Sequence, residues 1–149
     1  VLSATHGAGN ILATSLGSDG SLEQLLYAEH DGGNLTMNGR EVFRKAVMVM
    51  VNTSNDAMAK AGVTIDDISL VVPHQANIRI IQAACKRLHI PMDKVAVCLD
   101  HTGNTSSASI PLAFVEAEAA GRIEAGQLVL LTGFGAGMSS ASAVLRWGP

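Results

Sequence analysis

Two stretches of this chain place polar side chains with usable chemistry where a buried strand gives way to a helix. In Val71-Val72-Pro73-His74-Gln75-Ala76-Asn77-Ile78-Arg79-Ile80, His74 follows an apolar run and precedes a helical one. In Asp100-His101-Thr102-Gly103-Asn104-Thr105-Ser106-Ser107-Ala108-Ser109-Ile110-Pro111, Asn104 occupies the same kind of junction. Ligand sites in open α/β sheets gather at the carboxyl ends of strands, so parallel strands would bring His74 and Asn104 to one edge. A neutral histidine carries one ring N–H and an asparagine an NH2 that does not ionise, so the pair offers two uncharged hydrogen-bond donors. A third stretch, Gly133-Phe134-Gly135-Ala136-Gly137, also follows a strand.

Other chemistries fit less well. The glycine run imitates a dinucleotide loop, but the segment after it alternates like a strand and leaves no room for a βαβ unit. A tight turn is the better reading. The Gly103-to-Ser107 loop lacks the lysine of a phosphate-binding P-loop. His74, His101 and the carboxylates show no i,i+4 spacing of the zincin kind, so neither metal nor cofactor is expected. Cys85 and Cys98 form no CxxC pattern; they read as core cysteines of a reducing cytoplasm. His6, His30, His89 and His101 read as loop or surface polars.

The elements that must position these residues follow from periodicity. Strands are predicted over residues 11–16, 25–28, 69–72, 95–98, 128–132 and 142–147, with turns at 17–20 and 31–34. Helices are predicted over about 39–60, 76–88 and 107–120. Asn38 caps the first, with Glu41 at capping-box spacing, and Gly62 stops it. Pro111 must lie in the first turn of the third helix or kink it. The alternation implies one α/β domain with helices packed on a largely parallel sheet, the last two strands pairing antiparallel. The 149 residues, 48% apolar with a formal net charge of −3, suit a well-buried globular chain. They give no reason to expect nucleic acid. The longest apolar run, residues 46–51, is far short of a membrane span. Val1-Leu2-Ser3 reads like the end of a strand, so the chain is expected to be a piece of something longer.

Taken together, P-H-Q-A-N-x-R-I, G-N-T-S-S-A-S-I-P and F-G-A-G resemble, in order, the His loop, Asn loop and glycine-rich turn of the β-ketoacyl-[acyl-carrier-protein] synthase III family. Leu16-Gly17-Ser18-Asp19-Gly20 and Met37-Asn38-Gly39-Arg40-Glu41-Val42-Phe43 are similar as well, and the likeness covers essentially the whole chain. It implies the C-terminal half of a thiolase-like fold, with a mixed five-stranded sheet and packed helices. It implies a bacterial-type cytoplasmic homodimer condensing an acyl-CoA, often acetyl-CoA, with malonyl-[acyl-carrier-protein] to begin fatty-acid synthesis. A Cys in the absent N-terminal half would take the acyl group. His74 and Asn104 would be catalytic, acting on the malonyl thioester; Arg79, Asn77, Phe134, Gly135 and Gly137 would serve substrate or carrier binding. Ser140 departs from a large aromatic and Met138 from Phe or Leu, which leaves the acyl preference open.

The chemistry agrees with that transfer. Decarboxylating a malonyl thioester builds negative charge on the thioester oxygen, and two fixed donors stabilise it. The positive end of the following helix would keep His74 neutral. Arg79 is assigned to docking of the acidic carrier, whereas Lys86 and Arg87 read as a solvated face. Two alternatives stand beside this one: a synthase III-like enzyme of secondary metabolism, and a non-catalytic thiolase-like interaction module. A nucleotide-binding domain is disfavoured by the glycine-run argument.

Overall fold

A computed structural model describes residues 10–29 and 32–148; the strand reading at Val1-Leu2-Ser3, His6 and His30 lie outside the described residues. Strands β1 (Ile11–Ser18), β4 (Ile68–Pro73), β5 (Leu128–Gly135) and β6 (Ser139–Arg146) form one sheet in the order β1-β6-β5-β4. β4 and β5 run parallel, with Val71 opposite Leu130 and Pro73 opposite Thr132. β6 runs antiparallel to both β5 and β1, as expected for the last two strands. The sheet is mixed, as the resemblance implies, but among the described residues it has four strands rather than five, and β4–β5 is its one parallel pair. Residues 95–98, predicted as a strand, make only one parallel bridge, Val95 to Val71, with Ala96 N–H donating to Val71 O at 2.8 Å. Gln75 accounts for the difference: its side chain, not a neighbouring strand, takes the Cys98 N–H and one Ala96 carbonyl bond.

A second, two-stranded ribbon pairs β2 (Leu26–Ala28) with β3 (Leu35–Met37). Three exposed residues give no burial period, so β3 is absent from the sequence reading. Likewise β1 continues through Gly17 and Ser18, and the turn expected there is a 3-10 helix over Gly20–Leu25 capped by Asp19.

Helix α1 (Gly39–Ala61) begins where predicted, with Asn38 Oδ1 accepting from Glu41 N–H at 3.3 Å. It ends at Gly62, whose φ of +69° is the left-handed conformation a glycine adopts without a Cβ penalty. Its buried side chains Val42, Ala46, Val47, Met50, Ala57 and Met58 recur at helical spacing and cover β1, β6 and β5. Helix α2 (Ile78–Arg87) buries Ile81, Ala84 and Cys85 on the same side of the sheet. Helix α3 (Leu99–Thr102) is one short turn, and helix α4 (Ser109–Ala119) follows a 3-10 turn at Ser106–Ala108, with Pro111 in its first turn. α4 buries Ala113 and Ala117 on the opposite face of the sheet.

The three-layer arrangement follows from strand alternation, apart from a register shift between Ile68 and Leu70 that puts these two residues on opposite faces. Along β4 and β5, Ile68, Val71, Leu128 and Leu130 face α1 and α2, whereas Leu70, Val72 and Val129 face α4. β6 alternates as its sequence implies, with Val144 toward α1 and Leu145 toward α4. Where α1 crosses the sheet, a buried hydroxyl chain links Thr53, Ser142 and Thr132 through contacts of 2.8 and 2.9 Å, so these polar groups are paired. Large apolar side chains left exposed include Leu16 at 80%, Leu35 at 68% and Val115 at 59%.

Candidate active site

His74 leaves the end of β4 with its backbone tied to β5: its N–H donates to Thr132 O at 2.8 Å. One residue on, Gly133 passes so close that a Cβ there would lie 3.3 Å from His74 Cβ and 3.5 Å from Ile110 Cδ1. The imidazole packs edge-on against Phe134, with ring centroids 5.6 Å apart. Its Nδ1 lies 2.6 Å from Oγ of Ser109, at the start of α4. Burial holds the His74 pKa below the ordinary histidine value, so the ring is neutral near pH 7. The sequence reading credited a helix N-terminus with this effect. However, α2 begins only at Ile78, behind its Asn77 cap, and desolvation is the cause.

Asn104 lies in the exposed loop between α3 and α4. Its Oδ1 accepts the Ser106 N–H at 3.0 Å, an Asx turn that engages the oxygen and leaves the NH2 as the available end. Both His74 and Asn104 line one cleft of about 720 Å3, together with Asn77, Arg79 and Phe134. The residues 95–98 segment, parallel to β4 at its single bridge, carries the chain to this edge, so the predicted juxtaposition holds although the strand does not form.

The remaining expected residues divide. Asn77 lines the cleft and also caps α2, its Oδ1 accepting Arg79 N–H at 2.9 Å. Arg79 is exposed at the cleft mouth, with its guanidinium 5.9 Å from the Phe43 ring centroid. Arg40 and Arg44 of α1 line the same cleft. Gly135 lines a second cleft of about 530 Å3 that shares His74 and Phe134 and is also lined by Leu16, Ile110 and Ser140. Gly137 lines neither cleft; its φ of +116° serves the β5–β6 turn. Cys85 and Cys98 are buried, as core cysteines are, and burial pushes the Cys85 thiol up to about 11, so Cys85 is not a ready nucleophile. Lys86 and Arg87 are exposed on α2. His101, also exposed, contacts Asp100 and Glu116 at 3.0 Å, and these carboxylates raise its pKa. Among the described residues no group of three or more His, Cys, Asp or Glu side chains is arranged to hold a metal ion. No described helix is long and apolar enough to cross a membrane.

Sequence reasoning passed over two residues. Gln75 is fully buried, donating from Nε2 to Pro73 O at 2.8 Å and Ala96 O at 3.2 Å and accepting Cys98 N–H at 3.1 Å. Ser109 is fully buried beside His74. The signal for Gln75 was its position between two apolar runs, where an unpaired amide would be costly.

The comparisons agree with this fold. Residues 58–147 match the family model described as 3-oxoacyl-[acyl-carrier-protein (ACP)] synthase III C terminal. The β-ketoacyl-[acyl-carrier-protein] synthase III of Staphylococcus saprophyticus is 49% identical over 138 residues, covering 93% of this chain and 44% of that protein. The crystal structure of 3-oxoacyl-[acyl-carrier-protein] synthase III from Aquifex aeolicus VF5 superposes with a TM-score of 0.92 at 43% identity, covering 97% of this chain and 46% of the other. The Thermus thermophilus synthase III gives a TM-score of 0.88 at 51% identity, over 93% and 46% of the two chains. The chain spans about half the length of the curated relatives it matches. With a family model matched over most of its length and this architecture around His74 and Asn104, the chain belongs to the 3-oxoacyl-[acyl-carrier-protein] synthase III C-terminal family.

Proposed function

We propose that the chain works as the C-terminal half of a β-ketoacyl-[acyl-carrier-protein] synthase III, supplying the decarboxylation site for condensation of an acyl-CoA, acetyl-CoA foremost, with malonyl-[acyl-carrier-protein]. One observation carries this reading: His74 and Asn104, from separate loops, line one cleft, with the Asn104 oxygen held by Ser106 N–H and its NH2 available. A neutral His74 and the Asn104 NH2 both donate to the malonyl thioester oxygen. The bond between the methylene carbon and the carboxylate breaks, carbon dioxide leaves, and the electron pair moves onto the thioester as an enolate. The enolate carbon then attacks the acyl thioester carried by a cysteine of the N-terminal half, and that thiolate departs. Two oriented donors stabilise the charge as it develops, without a metal.

Arg40, Arg44 and Arg79 at the cleft mouth suit the acidic carrier, and Phe43 holds the Arg79 guanidinium in place. The working state is a cytoplasmic homodimer in which exposed side chains such as Leu16 and Leu35 are covered by the rest of the protein.

The test is single-turnover kinetics on the full-length synthase. His74→Ala and Asn104→Ala each lower malonyl decarboxylation by about a hundredfold or more while acylation of the cysteine continues. The double variant loses less than the product of the two single losses, because the donors act as a unit. Loss of acylation with decarboxylation intact in Asn104→Ala would refute the assignment.

A further inference from the structure

We propose that Ser109 is a positioning residue whose hydroxyl donates to Nδ1 of His74 and so keeps the imidazole as the tautomer with its hydrogen on Nε2. The proposal rests on the reading of His74 as an enolate donor and names the atom that donates. Ser109 Oγ is fully buried, 2.6 Å from His74 Nδ1 and 3.2 Å from the Gln75 backbone nitrogen. A hydroxyl offers one hydrogen and two lone pairs. The Gln75 N–H can only donate, so it occupies one lone pair. Were the imidazole hydrogen on Nδ1, it would take the second, and the buried Ser109 O–H would need an acceptor elsewhere. Among the described residues Ser109 Oγ has no third partner. The hydroxyl hydrogen therefore points at Nδ1, which must be bare, and the ring hydrogen sits on Nε2.

The arrangement is held on every side. Gln75 is anchored through its side chain to Pro73, Ala96 and Cys98, which fixes the direction of its backbone N–H. Ring rotation is restricted by Phe134 edge-on, while the close approach of Gly133 fixes the His74 Cβ. Nε2 has no hydrogen-bond partner among the described residues, and His74 lines both clefts. The relay thus runs from Gln75 N–H through the Ser109 hydroxyl to the imidazole, and it turns a ring that could either donate or accept into a donor.

The test is nitrogen NMR of the substrate-free full-length synthase labelled in histidine, recorded at a pH where His74 is neutral. The expected spectrum has Nε2 protonated and Nδ1 bare; a hydrogen on Nδ1 overturns the proposal. Ser109→Ala is expected to give a mixture of tautomers and about tenfold slower decarboxylation, and Ser109→Thr, which keeps the hydroxyl, to restore both. An unchanged tautomer and rate in Ser109→Ala also overturns it. If Ser109→Ala fails to fold, the wild-type spectrum still decides. A hydrogen on Nε2 combined with undiminished decarboxylation in His74→Ala would support the relay and sink the enolate reading alone.

Discussion

Gln75→Leu removes the side chain that ties the His74 loop to the segment leading toward Asn104, at nearly constant volume. Its amide makes three bonds to the backbone, at 2.8, 3.2 and 3.1 Å, in a site with no solvent access. The Cys98 N–H has no second partner among the described residues, so it bears the full penalty of an unpaired buried donor, about 1–3 kcal/mol. The Pro73 and Ala96 carbonyls each lose one donor, about 0.5–1.5 kcal/mol apiece. The sum, about 2–6 kcal/mol, is a large part of the ~5–15 kcal/mol by which domains are stable. Urea unfolding of the full-length protein measures the loss, and amide exchange at Cys98 localises it through reduced protection. Gln75→Glu separates the bonds: its carboxylate still accepts from Cys98 but faces two carbonyls, so its folded pKa lies above the unfolded value. The folded state then binds the extra proton, and stability falls as pH rises through the carboxylate range and recovers on acidification. A loss below about 1 kcal/mol in Gln75→Leu, with Cys98 still protected, would refute the clamp.

Burial lowers the His74 pKa from 6.5, so decarboxylation should persist on acidification below pH 6.5 and decline only at the folded pKa, read from its pH–rate profile. The unfolded chain takes up that proton first, so unfolding free energy should fall as pH drops from 6.5 toward the folded value, a slope that His74→Asn removes. Gly133→Ala places a methyl 3.3 Å from His74 Cβ; decarboxylation should slow about tenfold from misplacement of the ring, with stability changing by less than ~1 kcal/mol. Arg79→Glu should weaken use of malonyl-[acyl-carrier-protein] far more than acylation by acyl-CoA, because it reverses a charge at the proposed docking mouth. Equal losses in the two half-reactions would make Arg79 structural.

How much was legible without coordinates follows from what each residue depends on. Asn38 and Gly62 bound α1 by local rules, because a side-chain cap and a positive φ are decided within one turn. The alternation in β6 and the continuous apolar runs of β4 and β5 report which faces are buried, and they assign Val144 and Leu145 to opposite layers correctly. His74 and Asn104 were marked by their strand-to-helix junctions and by their motifs. Residues 95–98 have the same apolar character as β4, yet whether such a run joins a ladder depends on what competes for its backbone. Here Gln75, more than twenty residues away in sequence, takes the Cys98 N–H and an Ala96 carbonyl. The neutrality of His74 was foreseen for the wrong reason, since the distance to the α2 terminus and the depth of burial are both tertiary quantities. Residue types and local spacing sufficed for the caps and the layers, and the motifs for proposing His74 and Asn104 as a donor pair. The competition for backbone groups, the desolvation of His74 and its contact with Ser109 were decided only by the packing of α4 and β5 around the end of β4, because pairing and burial depend on neighbours that local sequence does not name.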